Sequence, residues 1–164
     1  MSKDDSRPGE GDAFPDIALE TPTGGQIKAS DHAGRKLVVF FYPKDDTPGC
    51  TTENKDFSAL SGEFEAADTA LLGVSKDPPK KHEKFAAKHE LKAPLASDTP
   101  ADSGAEGLAE ALGIWVEKNM YGRTYMGMER TTYLVDPNGR IARVWRKVKV
   151  KGHAAEVLEA ARAL

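Results

Sequence analysis

The sequence predicts an α/β fold, a mixed central β-sheet flanked by helices with an N-terminal β-hairpin. Two continuous apolar, β-rich runs, 37–42 and 70–75, have the pattern of strands buried on both faces. A segment with helical apolar spacing follows each, the βαβ order that makes neighbouring strands parallel. Near the C-terminus, 130–135 and 141–145 flank Asp136-Pro137-Asn138-Gly139, a turn sequence that joins antiparallel strands.

Taken in order, residues 1–12 mix charge with Gly, Pro and Ser and carry no bulky apolar residue except Met1, so a flexible N-terminal arm is expected. Residues 13–164 are expected to form a single domain. Residues 16–20 and 26–28 alternate around Thr21-Pro22-Thr23-Gly24-Gly25, the first hairpin. After the strand 37–42, the loop Pro43-Lys44-Asp45-Asp46-Thr47-Pro48-Gly49 leads into a helix predicted from about Cys50 to Ala67, with Phe57, Leu60 and Phe64 on its apolar side. The strand 70–75 is followed by Asp77 as helix cap, Pro78 at the first helical position, and a helix to about Glu90. A short strand at 95–97 and a helix from Ala105 to Leu112, ended by Gly113, come next. Residues 117–129 show no clear period and are expected to be loop. The last helix, Ala154 to Leu164, presents Val157, Leu158, Ala161 and Leu164 to the core.

Composition narrows the function. The 164 residues suit one domain of the usual size, about 100–200 residues. With 39% hydrophobic residues and 15 glycines, the chain can build a core. Twenty-three basic against 26 acidic residues give a net charge of −3, without a long-range pull toward nucleic acid or anionic membranes. No apolar run approaches the roughly 20 residues of a membrane span. The acidic start lacks the apolar stretch of a signal peptide, so a cytoplasmic location is expected. The solitary Cys50 excludes an internal disulfide and any CxxC motif.

That cysteine sits where a buried strand hands over to a helix. The first helical turn offers unpaired N–H groups and the positive dipole end, which favour a thiolate over a thiol. Pro43 and Pro48 stiffen the loop, Gly49 permits close approach, and the hydroxyl of Thr47 can face the same pocket. An inert buried cysteine belongs inside an apolar period. Cys50 instead lies among Thr47-Pro48-Gly49 and Thr51-Thr52-Glu53, which favours a reactive thiolate.

The run Phe41-Tyr42-Pro43-Lys44-Asp45-Asp46-Thr47-Pro48-Gly49-Cys50-Thr51 resembles the active-site loop of peroxiredoxins, nearest the Q-type branch of bacterioferritin comigratory proteins. The pattern Pro-x-x-x-Thr-x-x-Cys is matched at Pro43, Thr47 and Cys50. The similarity extends through Gly73-Val74-Ser75-Lys76-Asp77, Gly113-Ile114-Trp115, Tyr121-Gly122-Arg123 and Gly127-Met128-Glu129-Arg130, and covers nearly everything from Asp12 onward. It implies a thioredoxin-like fold and a thiol-dependent peroxidase acting on hydrogen peroxide or organic hydroperoxides, with no cofactor and no metal. It also implies the roles: Cys50 as peroxidatic nucleophile, Thr47 as the hydroxyl that positions peroxide, Arg130 as the cation favouring thiolate, and Pro43 as the shield against water. Glu53 resembles a position near the pocket in the family, but a carboxylate in a first helical turn has a dipole role of its own, and it is left outside the core site.

One departure shapes the mechanism. Many Q-type enzymes carry a resolving cysteine five residues after the first, where this chain has Lys55; other members place it on the following helix, but residues 78–90 contain none. The resemblance therefore implies a one-cysteine variant whose sulfenic acid is recycled by an external thiol: thioredoxin, glutaredoxin or glutathione. The alternative reading is a redox sensor or partner-binding protein that signals through oxidised Cys50. The Q-type likeness leans toward a monomer. Among weaker signals, His82 and His89 on one helix are expected to face solvent, and His32 and His153 are isolated. The basic run 146–151 is a donor-docking surface or a solvated strand end, and Trp115, Met120, Tyr121, Tyr125, Met126 and Met128 rim the pocket or pack in the core.

Overall fold

The computed structural model describes residues 7–99 and 106–164. The N-terminal hairpin is short: β1 (Leu19–Glu20) pairs antiparallel with β2 (Gln26–Ile27), and a 3-10 turn at Ala29–His32 leads to β3 (Lys36–Phe41). Then follow α1 (Pro48–Ala59), α2 (Ser61–Ala66), β4 (Thr69–Ser75), α3 (Pro79–His89), β5 (Leu95–Ser97) and α4 (Leu108–Leu112). The chain ends with β6 (Trp115–Met120), β7 (Arg123–Met128), β8 (Thr131–Val135), β9 (Ile141–Trp145) and α5 (His153–Ala163). Seven strands form one sheet in the order β2-β1-β5-β4-β3-β8-β9. β3, β4 and β5 run parallel, as their helical crossovers require, and β8 and β9 close one side antiparallel.

β3 is central because its residues are apolar on both faces. Leu37, Val39 and Phe41 join a core layer with Leu72, Val74, Leu112 and Tyr133. Val38 and Phe40, continued by Tyr42, face the opposite layer with Phe57, Phe64, Phe85 and Leu158. The period of two along a strand makes one six-residue run serve both layers. Phe57 anchors α1 in the second layer, with its ring stacked 4.2 Å from that of Phe40.

Several elements depart from expectation. The single helix predicted over 50–67 is two helices, broken at Leu60, whose N–H reaches Asp56 and Phe57 carbonyls. The break falls where Ser58 turns its hydroxyl to the Lys92 and Ala93 N–H groups and Ser61-Gly62 restarts the helix. Residues 117–129 are not loop: β6 and β7 form a separate antiparallel ribbon around Tyr121-Gly122, both at positive φ (54° and 77°). Its faces are mostly exposed, so no apolar alternation marked it. Asp77 does not cap α3: Pro78 stands at the N-cap position without a side-chain bond, Pro79 is the first helical residue, and Asp77 bonds elsewhere. Leu164 is exposed rather than packed.

The part of the N-terminal arm within the described residues is tied down. Gly11 N–H donates to Ile141 O and Ile141 N–H to Asp12 O, both at 2.8 Å, and the Arg146 guanidinium reaches Pro8 O. This pairing uses the backbone groups of the edge strand β9 and needs no apolar side chain, so composition gave no sign of it. Residues 1–6, and Ala105 at the predicted start of α4, lie outside the described residues.

Phe57→Ala removes the buried ring that fixes α1, and a loss of about 3–5 kcal/mol is expected. Urea unfolding, comparing midpoints at unchanged slope, measures it; a loss below about 1 kcal/mol would show that α1 is held by other contacts.

Candidate active site

β3 ends at Phe41, and the loop that follows turns the chain back into α1. Asp46 adopts the left-handed conformation, with φ at 62°. Thr47 is extended (φ −99°, ψ 155°) and starts the helix, Pro48 takes the first helical position, and Thr51 N–H closes the first turn on Thr47 O at 2.8 Å. Cys50 thus stands in the first turn with 1% of its surface exposed. Asn54, one turn on and fully buried, donates from Nδ2 to Cys50 O at 3.0 Å and fixes that turn from within.

Arg130 reaches this place through the sheet. It directly precedes Thr131, which pairs with Phe41 at the end of β3. The backbone on either side is pinned, Glu129 N–H to Ile114 O at 2.8 Å and Val148 N–H to Arg130 O at 3.0 Å. Its guanidinium donates Nη2 to Cys50 Sγ at 3.5 Å and Nη1 to Glu53 Oε1 at 2.6 Å. Burial works against the guanidinium charge, but the Glu53 carboxylate and Cys50 sulfur outweigh it and raise the group further.

Glu53, left outside the site by the sequence reading, is its third member. It is 1% exposed, and burial pushes its carboxyl up to about 7 against the pull of Arg130. Its second oxygen is buried and has no hydrogen-bond partner among the described residues. The signal was present: Cys50, Glu53, Asn54 and Phe57 are spaced as one buried helical face, and a Glu on such a face needs a cation. Lys118, also missed because its strand read as loop, donates Nζ to Met128 O at 2.6 Å. Burial lowers its ammonium, Arg130 lowers it further, and Cys50 and Glu129 pull it back.

Pro43 and Thr47 lie on the loop leading into the turn, both half-buried. Thr47 donates its hydroxyl proton to Lys44 O at 2.8 Å, which leaves the oxygen lone pairs for an incoming donor. A cavity of about 560 Å3 opens beside Arg130, lined also by Val116, Lys118, Glu129 and Lys147. Lys55 is exposed on the outer face of α1.

The histidines sit differently from expectation. His82 is fully buried and His153 nearly so. His153 bonds Thr132 Oγ1 at 2.8 Å and packs its ring against Phe57 and Trp145; burial pulls its pKa down to about 4. His89 meets the Asp46 carboxylate at 3.0 Å. Of the ribbon's apolar residues, Met128 is core, while Met120, Tyr121, Tyr125 and Met126 are exposed.

A cysteine in a helical first turn, under a half-buried arginine, on a thioredoxin-like mixed sheet, defines a thiol-dependent peroxidase. Residues 10–144 match the AhpC/TSA family. Peroxiredoxin Bcp of Xanthomonas campestris is 49% identical over 148 residues, 90% of this chain and 89% of its own. Peroxiredoxin Bcp of Bacillus subtilis is 45% identical over 91% of this chain and 92% of its own. A solved structure of Xanthomonas campestris peroxiredoxin Q, 46% identical, superposes with a TM-score of 0.83 over 96% of each chain. A Xylella fastidiosa PrxQ structure does so at 0.87, with 39% identity over 96% of this chain and 98% of its own. The chain belongs to the AhpC/TSA family as a peroxiredoxin of the Bcp or Q type, in a one-cysteine form. It reduces a peroxide at the expense of a thiol.

The raised carboxyl of Glu53 has a consequence for stability. Between its ordinary 4.5 and about 7, the folded chain holds a proton that the unfolded chain has lost. Stability therefore falls as pH rises through that window. Glu53→Gln, which keeps an acceptor for Arg130, is expected to gain stability relative to the parent between pH 5 and pH 8. Urea midpoints across that range check it, and a constant difference would refute it.

Proposed function

We propose that Cys50 is the peroxidatic nucleophile, that Thr47 and Arg130 align and polarise the peroxide, and that Pro43 shields the pocket from water. The Cys50 thiolate attacks the hydroxyl-bearing oxygen of the peroxide in line with the O–O bond. The S–O bond forms as the O–O bond breaks, giving Cys50 sulfenic acid and a hydroxide or alkoxide that takes up a proton. Negative charge moves from sulfur to the leaving oxygen, so donors fixed along that path lower the barrier. The observation that carries this reading is the Arg130 guanidinium, 3.5 Å from Sγ and immobilised by Glu53 at 2.6 Å. The Thr47 lone pairs, freed because its proton is given to Lys44, can accept from the peroxide O–H. A low thiol pKa alone does not give speed, because nucleophilicity falls with it; preorganised donors supply the remainder.

The substrate is hydrogen peroxide or an organic hydroperoxide. A Xanthomonas campestris bacterioferritin comigratory protein, at 45% identity, is described by its alkyl peroxide reduction activity. With Cys50 the one cysteine in 164 residues, recycling draws on an external thiol. A first thiol condenses with the sulfenic acid to a mixed disulfide and water, and a second releases Cys50 as thiol. Thioredoxin, glutaredoxin and glutathione are the candidate donors.

Peroxide consumption with excess dithiothreitol tests the assignment. Cys50→Ser is expected to abolish it, and intact mass after one equivalent of peroxide should show one added oxygen on the parent protein. Absence of that adduct would refute the nucleophile. Arg130→Gln is expected to lower the rate constant of Cys50 oxidation by about 10²–10³-fold, the scale for removing one fixed charge-stabilising donor. Turnover with glutathione and glutaredoxin against turnover with thioredoxin identifies the donor.

A further inference from the structure

The loop that carries Thr47 is gripped from one side by groups the peroxide chemistry does not use. Asp45 is 2% exposed and His82, on α3, is 0% exposed. His82 Nδ1 lies 2.7 Å from Asp45 Oδ2, at ion-pair distance though off the axis of a hydrogen bond to that oxygen. Tyr42 donates its hydroxyl to Asp45 Oδ1 at 2.6 Å. The Asp45 backbone N–H donates to Asp77 Oδ2 at 2.7 Å, an oxygen that also accepts from Ser75 Oγ at 2.7 Å. Asp77 is itself held by Lys81 at 3.1 Å.

The next residue is held from the same helix. Asp46 has φ at 62°, in the left-handed region that L-residues adopt at a cost. Its carboxylate meets Lys88 Nζ at 2.8 Å and His89 Nε2 at 3.0 Å, both on α3. Two successive residues immediately before Thr47 are therefore fixed to α3 and the end of β4 on both side-chain and main-chain atoms. Burying a carboxylate and an imidazole in contact is expensive and gives little net stability, so its structural return is a defined geometry.

We propose that Asp77, His82, Lys88 and His89 are positioning residues that clamp Asp45 and Asp46, and so hold the Thr47 hydroxyl in register with Cys50 for peroxide attack. The proposal rests on Cys50 as nucleophile and Thr47 as acceptor. It adds that their alignment is set by α3, an element that contributes no atom to the reaction. Peroxide attack needs in-line geometry, and a displacement near 1 Å can cost about 10²-fold in rate. Alkylation of the same sulfur by iodoacetamide has no such requirement on Thr47. The two reactions separate alignment from reactivity.

The test measures both rate constants on full-length protein, oxidation by hydrogen peroxide and alkylation by iodoacetamide, each followed by intact mass. Asp45→Ala is expected to slow oxidation by about 10²-fold while alkylation holds or rises, at native far-UV circular dichroism. Asp45→Asn, which keeps shape and the acceptor for Tyr42, should recover part of the oxidation rate. The Lys88→Ala/His89→Ala pair releases Asp46 at the outer rim and leaves the Asp45–His82 contact in place; oxidation slowed by several-fold is expected there, on the scale of a partial misalignment. Oxidation and alkylation falling by one factor in Asp45→Ala, or neither changing, would overturn the clamp. Should Asp45→Ala fail to fold, an unchanged oxidation rate in the rim pair would overturn it. A parent protein that takes up no oxygen would refute Cys50 as nucleophile, a separate failure visible in the same measurement.

Discussion

The site depends on one half-buried cation shared by two acceptors. Arg130 gives one arm of its guanidinium to Glu53 and the other to Cys50 sulfur. The fork of the guanidinium makes this possible, since its donors are planar and set at fixed angles; a lysine ammonium could not hold both partners so defined. Everything around the pair serves to keep it in place. The ladder between β3 and β8 brings Thr131 opposite Phe41, and that register delivers Arg130 to the first turn of α1.

Glu53 is the cost of this arrangement. Burial alone would drive the carboxyl to its neutral form, and Arg130 pulls the other way. The group is left at about 7, with one oxygen bonded and the other without a partner among the described residues. Glu53 and the Cys50 sulfur share one guanidinium, each taking one of its arms. The carboxylate thus does more than complement a helix dipole, and its raised pKa follows from the same burial that excludes water from Cys50.

The count of one cysteine acts on a different part of the cycle. Cys50 is almost wholly buried, and the outer face of α1 offers Lys55, an amine and not a thiol, to solvent. The fold buries Cys50 in the first turn of α1, and the sequence holds no second cysteine to pair with it. The open cavity beside Arg130 has Lys118 and Lys147 at its edge.

Sequence alone determined the parallel centre of the sheet, its antiparallel C-terminal hairpin, the strand-to-helix loop that carries Pro43, Thr47 and Cys50, and the single cysteine. These are local facts: period two or 3.6, turn residues, the spacing of a loop, a residue count. It missed the β6–β7 ribbon, whose exposed faces leave no apolar alternation, and the docking of residues 8–12, which runs through backbone groups. It also placed His82 in solvent and Glu53 outside the site, because helical spacing shows which residues share a face but not what that face meets. Tertiary structure alone decided those partners. Arg130 lies 80 residues from Cys50, and Asp45 lies 37 before the imidazole it touches. Burial of a charge is tolerable only beside its counter-charge, and that pairing acts through space.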